Sequence, residues 1–158
     1  MTQAFPPIDE LLPHRGTMLL LDRVFSENEK SIVAGTTVPE AAWYLDEQGG
    51  MPVWIGIELM AQAIAAHAAL QGRLKGAPPK RGVLLGCRSY RASMPRAAAG
   101  ALLKVSAKMT LRDESGFGAY DCTIESDSAE FAAATLKVFE PEDFEAFVKQ
   151  EGNPGGGA

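Results

Sequence analysis

The stretch Pro52–Gln71, PVWIGIELMAQAIAAHAALQ, decides the fold. At about 1.5 Å per residue it makes a helix of roughly 30 Å. Ala, Ile, Leu, Met, Val and Trp fill most of its positions on nearly every face, and a helix apolar all round must be buried. Glu58, Gln62 and His67 fall across its middle, where a bilayer would penalise them. The sequence therefore predicts the core helix of a globular protein and no membrane span. Glu58 and Gln62 stand at i and i+4 and share a face. His67 lies further along, about half a turn out of phase with Glu58 at 100° per residue, so these two cannot pair on one helix.

The remaining 138 of the 158 residues have to cover that helix, and the length favours one domain with a single core, over 1–150. An apolar fraction of 46% with 22% charged residues describes an ordinary globular chain. A net charge of −5 argues against a broad nucleic-acid-binding surface. The N-terminal MTQAFPPIDELL carries acids and prolines where a secretory signal would show a basic and then an apolar region. The expected location is cytoplasmic. Cys87 and Cys122 offer neither a disulfide framework nor metal-ligand spacing and read as free thiols. No cofactor and no metal are expected.

Upstream of the helix, Ile8–Leu12 reads as a short helix ended by Pro13. Met18–Leu21 is continuously apolar, as in a strand covered on both faces or a buried turn. Lys30–Val38 is β-branched and partly alternating, hence a strand. Pro39–Gly50 is a connector whose Gly49-Gly50 supplies flexibility. Downstream, Leu74–Gly82 is a Pro/Gly/Lys-rich surface turn. Four strands are expected over 83–91, 101–111, 118–126 and 130–139, with MPRAAAG as a loop and RDESG as a tight turn. Pro141 with Glu142 and Asp143 opens a short terminal helix, and 151–158 reads as a flexible tail. The sum is an α+β fold, one long helix inside five or six mostly antiparallel strands. A sheet hides such a helix only by curling around it, and a second copy would cover what remains.

Leu11–Val24, LLPHRGTMLLLDRV, resembles the N-terminal signature of the β-hydroxyacyl-acyl carrier protein dehydratases. Pro52, Glu58, Ala61 and Gln62 fall at that family's spacing, and Gly86 matches the glycine on the strand after its helix. The resemblance implies a hot-dog fold, normally dimeric. It departs at one position: the catalytic histidine of His-Phe-Pro-Gly, eight residues before Pro52, is replaced by Tyr44. The chain in this respect is similar to the dehydratase-like components of aryl polyene and type II polyketide pathways, some of which work with a second dehydratase subunit. The resemblance implies a homodimer or such a heterodimer, and an acyl carrier protein or coenzyme A thioester as partner.

Dehydrating a β-hydroxyacyl thioester needs a group to take the α-proton, one to protonate the leaving hydroxyl, and donors for the enolate. Glu58, two turns into an apolar helix, is the first candidate, and burial there should raise its pKa. The plain alternative is a buried Glu satisfied by hydrogen bonds. His14 is the histidine in a plausible functional loop, against an ordinary role in a turn. Tyr44 could donate a proton or merely pack its loop. Gln62 should orient Glu58 or cap a neighbouring polar group. Pro52, Trp54 and the amide at Gly86 complete the expected substrate-binding set. His67 reads as a core or interface residue, and Asp46 and Glu47 as solvated loop acids. Lys80, Arg81, Arg88, Arg91 and Arg96 could steer an acidic carrier protein or the phosphates of coenzyme A, or could be plain surface. Two other functions stay open: an auxiliary subunit without catalysis, and a thioesterase whose helix carboxylate activates water.

Overall fold

The computed structural model describes residues 4–78 and 80–151, so most of the expected tail over 151–158 lies outside it. Three α-helices lie among the described residues, α1 (Ile8–Leu11), α2 (Gly56–Leu74) and α3 (Phe144–Glu151). The strands among the described residues are β1 (Arg23–Glu27), β2 (Ser31–Thr37), β3 (Met51–Pro52), β4 (Val83–Ala92), β5 (Arg96–Ala97), β6 (Leu102–Arg112), β7 (Phe117–Ser126) and β8 (Ala129–Phe139). Six of them form one antiparallel sheet in the order β1-β2-β6-β7-β8-β4. The short β3 and β5 pair separately, Met51 with Ala97 and Pro52 with Arg96.

The sheet wraps α2 because its strands alternate. In β7, Tyr120, Cys122, Ile124 and Ser126 turn inward while Asp121, Thr123 and Glu125 face solvent. Leu103, Val105, Ala107, Phe131 and Leu136 join them against Leu59, Met60, Ala63, Ile64 and Leu70 of α2. Each large apolar side chain fully buried in this way contributes about 1.5–3 kcal/mol. By length and composition Val53–Leu74 could cross a bilayer; here strands β2, β6, β7 and β8 pack against it instead.

Two tight turns set the hairpin registers. Gly116 closes the β6–β7 turn at φ +100°, and a Cβ there would come within 2.2 Å of the Glu140 carbonyl oxygen, so no side chain fits. The β7–β8 turn places Asp127 and Ser128 at φ 47° and 72°, the left-handed pair that matches strand twist in a two-residue hairpin.

Three expectations change, and one open alternative is decided. Of the two readings of Met18–Leu21, the turn holds and the strand does not: Gly16–Met18 is an exposed 3-10 turn, only Leu20 and Leu21 are buried, and β1 starts at Arg23. The amides of Leu20 and Leu21 are taken by a side chain of α2 instead of a sheet neighbour. MPRAAAG is not all loop, because Arg96–Ala97 pairs with β3. Helix α2 begins at Gly56 after a 3-10 turn over Val53–Ile55, since Pro52 is held extended in that ladder. The rod is not buried all round, for Trp54 in that 3-10 turn is 59% exposed and Ile57, Glu58, Ala61 and Ala65 of α2 are only half-buried. Among the described residues β1 and β4 are the edges of the large sheet, and β4 presents Leu84 and Leu85 to solvent.

Candidate active site

Everything that positions Glu58 converges on the first turn of α2. Pro52 pairs with Arg96, and the Val53 amide donates to the Pro95 carbonyl at 3.0 Å, which pins the chain just before the helix. The Tyr90 hydroxyl donates to the Val53 carbonyl, and a Cβ on Gly56 would lie 2.5 Å from that hydroxyl, so the helix start and β4 meet with no room between them. Glu58 follows within the first turn, where the positive end of the helix dipole favours a carboxylate.

The segment after α1 supplies the second wall. Arg15 folds back and donates from Nη1 to the Leu12 and His14 carbonyls, both at 2.7 Å, which fixes the turn carrying His14. His14 Nε2 then stands 3.4 Å from Glu58 Oε1. His14 Nδ1 is enclosed and has no hydrogen-bond partner among the described residues. Gln62, fully buried, ties this segment to the helix. Its Oε1 accepts from Leu20 N at 3.0 Å and Leu21 N at 3.3 Å. Its Nε2 donates to the Met18 carbonyl at 2.8 Å and to Glu58 Oε1 at 2.9 Å. A buried amide must find such partners, and this one finds them all.

The sequence-derived residues therefore divide. Glu58, His14 and Gln62 come together, although they lie on two elements remote in sequence. Glu58 is not sunk in the protein: 38% of its side chain is exposed, and His14 is 28% exposed. Tyr44 is brought elsewhere. It is buried, packs edge-on against Trp43 with ring centroids 5.5 Å apart, and makes no hydrogen bond among the described residues. Burial pushes its phenol pKa up, with the Asp22 charge adding to the effect. It lines a cleft of about 240 Å³ with Thr17, Asp22, Thr36 and Thr37. Pro52 shapes the helix start and Trp54 is exposed one turn before Glu58. Gly86 lies on β4, where an added Cβ would meet nothing within 4 Å, so the chain's own packing does not demand glycine there.

Two residues taken as surface charge turn out to be a clasp. Asp46 Oδ2 binds Arg96 Nε at 2.5 Å, and Asp46 Oδ1 accepts from the Gln48 and Gly50 amides, both at 3.0 Å. The hydrogen bond from Arg96 holds the Asp46 carboxyl below its usual pKa. The Gly49-Gly50 connector is thus a pinned turn, not a flexible joint. Sequence reading missed this clasp and the Tyr90 anchor, because each joins positions more than 30 residues apart with no shared motif. His67 is fulfilled as a core residue: Nδ1 lies 2.9 Å from Tyr120 Oη and Nε2 2.9 Å from the Asn28 carbonyl. Cys87 and Cys122 are free thiols. Among the described residues no group of three His, Cys, Asp or Glu is placed to hold a metal.

Solved structures resemble this arrangement. A chain of the dehydratase heterocomplex ApeI:P from Xenorhabdus doucetiae superposes with a TM-score of 0.87 at 26% identity, over 94% of this chain and 99% of that one. The PaaI protein of the E. coli phenylacetic acid degradation operon matches at 0.59 and 20% identity, over 74% and 81%. A hypothetical thioesterase from Streptococcus pneumoniae with coenzyme A matches at 0.54 and 15%, over 74% and 83%. The latter two share the fold alone. No curated protein matches the chain. The fold is the hot-dog fold, as the dehydratase resemblance implied. The family model described as ApeP dehydratase matches residues 6–149, and the chain belongs to this ApeP-like family of dehydratase-like proteins.

Proposed function

We propose that the chain supplies the carboxylate half of a β-hydroxyacyl thioester dehydratase site, with Glu58 exchanging protons with the substrate. The supporting observation is the approach of His14 Nε2 to within 3.4 Å of Glu58 Oε1 at a place that solvent, and so a ligand, can reach. Elimination takes one proton from the α-carbon, breaks the β-carbon–oxygen bond and releases the hydroxyl as water after it gains a proton. His14 supports the carboxylate, since one of its nitrogens is enclosed and the other is turned to Glu58. The second proton-carrying group comes from a partner, a second dehydratase subunit, seated where α2 and β4 are uncovered. Two features support this reading: Tyr44 in place of the family's histidine, and the likeness to a chain from a dehydratase heterocomplex. The thioester is carried on an acyl carrier protein in the cytoplasm, in aryl polyene or related polyketide synthesis.

The test supplies a β-hydroxyacyl N-acetylcysteamine thioester to the chain, alone and with a second dehydratase subunit, and follows both enoyl product and free thiol. Enoyl product that disappears in Glu58→Gln supports the proposal. Enoyl formation unchanged in that variant removes Glu58 from the mechanism. Thiol release without enoyl product would instead make the chain a thioesterase.

A further inference from the structure

We infer that Gln62 is a positioning residue that assigns the two oxygens of Glu58 to different tasks, holding Oε1 and leaving Oε2 alone to exchange protons with substrate. This rests on the reading of Glu58 as the proton-transfer group.

The orientation of the Gln62 amide is fixed by its neighbours. Leu20 and Leu21 present N–H groups, which require an oxygen, and Met18 presents a carbonyl, which requires a donor. The amide, itself fully buried, cannot be flipped without breaking three hydrogen bonds. Its last N–H must therefore point at Glu58 Oε1, which must accept it. His14 Nε2 stands against the same oxygen. A proton on Oε1 would oppose the Gln62 N–H, so when Glu58 is protonated the proton resides on Oε2. Among the described residues no hydrogen bond reaches Oε2. The same amide joins the carboxylate to the backbone at 18–21, so loop and carboxyl are set as one unit.

Gln62→Glu separates this role from a structural one. Its new carboxyl keeps an oxygen for the Leu20 and Leu21 amides, but when ionised it loses both donors and faces Glu58 with like charge. With the full chain and its partner subunit, kcat at about pH 8 falls roughly 10²-fold while KM stays within about twofold. Lowering the pH to about 5.5 returns at least about tenfold of that loss relative to the parent, because a protonated carboxyl offers one donor again. A variant-to-parent ratio that does not change with pH overturns the inference. So that a folding failure cannot mask the answer, the side-chain amide resonance of Gln62 is followed by nitrogen-15 NMR in the unsubstituted protein. It moves as Glu58 titrates and is still in Glu58→Gln; a resonance indifferent to that titration overturns the inference. Parental turnover in Glu58→Gln removes the underlying reading and this one with it, whereas an inactive Glu58→Gln beside an unaffected Gln62→Glu removes only the role of Gln62.

Discussion

Two ionisable side chains of helix α2, Glu58 and His67, lie on opposite sides, and their surroundings differ in kind. His67, 1% exposed, has both ring nitrogens engaged inside the chain, by Tyr120 Oη and the Asn28 carbonyl. Glu58 has one oxygen engaged by Gln62 and approached by His14, and stands partly in solvent. A polar group whose every partner lies within its own fold serves the fold. One held on a single side keeps capacity for something that arrives, as the proposed function requires of Glu58. The contrast separates the two residues more sharply than their residue types do.

The largest expected effect tests the outward-facing side. Glu58→Gln, close in shape, is expected to lower kcat by roughly 10³-fold or more while the melting temperature changes little. Measured turnover and a thermal melt on one preparation check both halves. The inward-facing side should answer in reverse. His67→Ala opens a cavity and strands the Tyr120 hydroxyl, which destabilises the protein by about 2–4 kcal/mol in urea unfolding. Any activity that the folded fraction retains should keep the parental KM. A collapse of turnover with unchanged stability would break the comparison.

His14→Asn comes next, with an expected loss of about tenfold in kcat, because in the proposed site the group supports Glu58 without meeting the substrate. A loss as deep as that of Glu58→Gln would promote His14 to a direct proton carrier. The Asp46 clasp gives a smaller, pH-dependent effect. Its carboxyl is held below the ordinary value, so the stabilisation is present above about pH 4 and fades as pH falls through the lowered folded value. Melting temperatures of the parent and Asp46→Asn should therefore converge in acid and separate by pH 7. Tyr44→Phe should change turnover by less than about twofold, because its hydroxyl makes no hydrogen bond to the Glu58 group.

The long helix and the strands over 83–139 were readable because burial imposes a period on side chains, and the strands expected at 101–111 and 118–126 are found at Leu102–Arg112 and Phe117–Ser126. The opposite phases of Glu58 and His67 were readable for the same reason. The depth of Glu58 was not, since period reports which residues share a face and not how far the sheet reaches around it. The meeting of His14 with Glu58 could be suspected only from two motifs in register. Helical spacing made Glu58 a candidate partner of Gln62, but it carried no sign that the same amide would also close the turn at Met18, Leu20 and Leu21. The clasp of Asp46 with Arg96 was illegible, because a long-range ion pair leaves no pattern in either stretch.

Strand β4, bare along one side with Leu84 and Leu85 turned to water, has a practical consequence at the bench. Its unsatisfied amides and carbonyls are a seam on which any extended peptide can be sewn, and they do not discriminate well between a cognate strand and a misfolded one. Produced alone at high concentration, the chain should precipitate or form ill-defined aggregates. Co-production with whatever strand belongs on that seam should raise the yield of monodisperse protein.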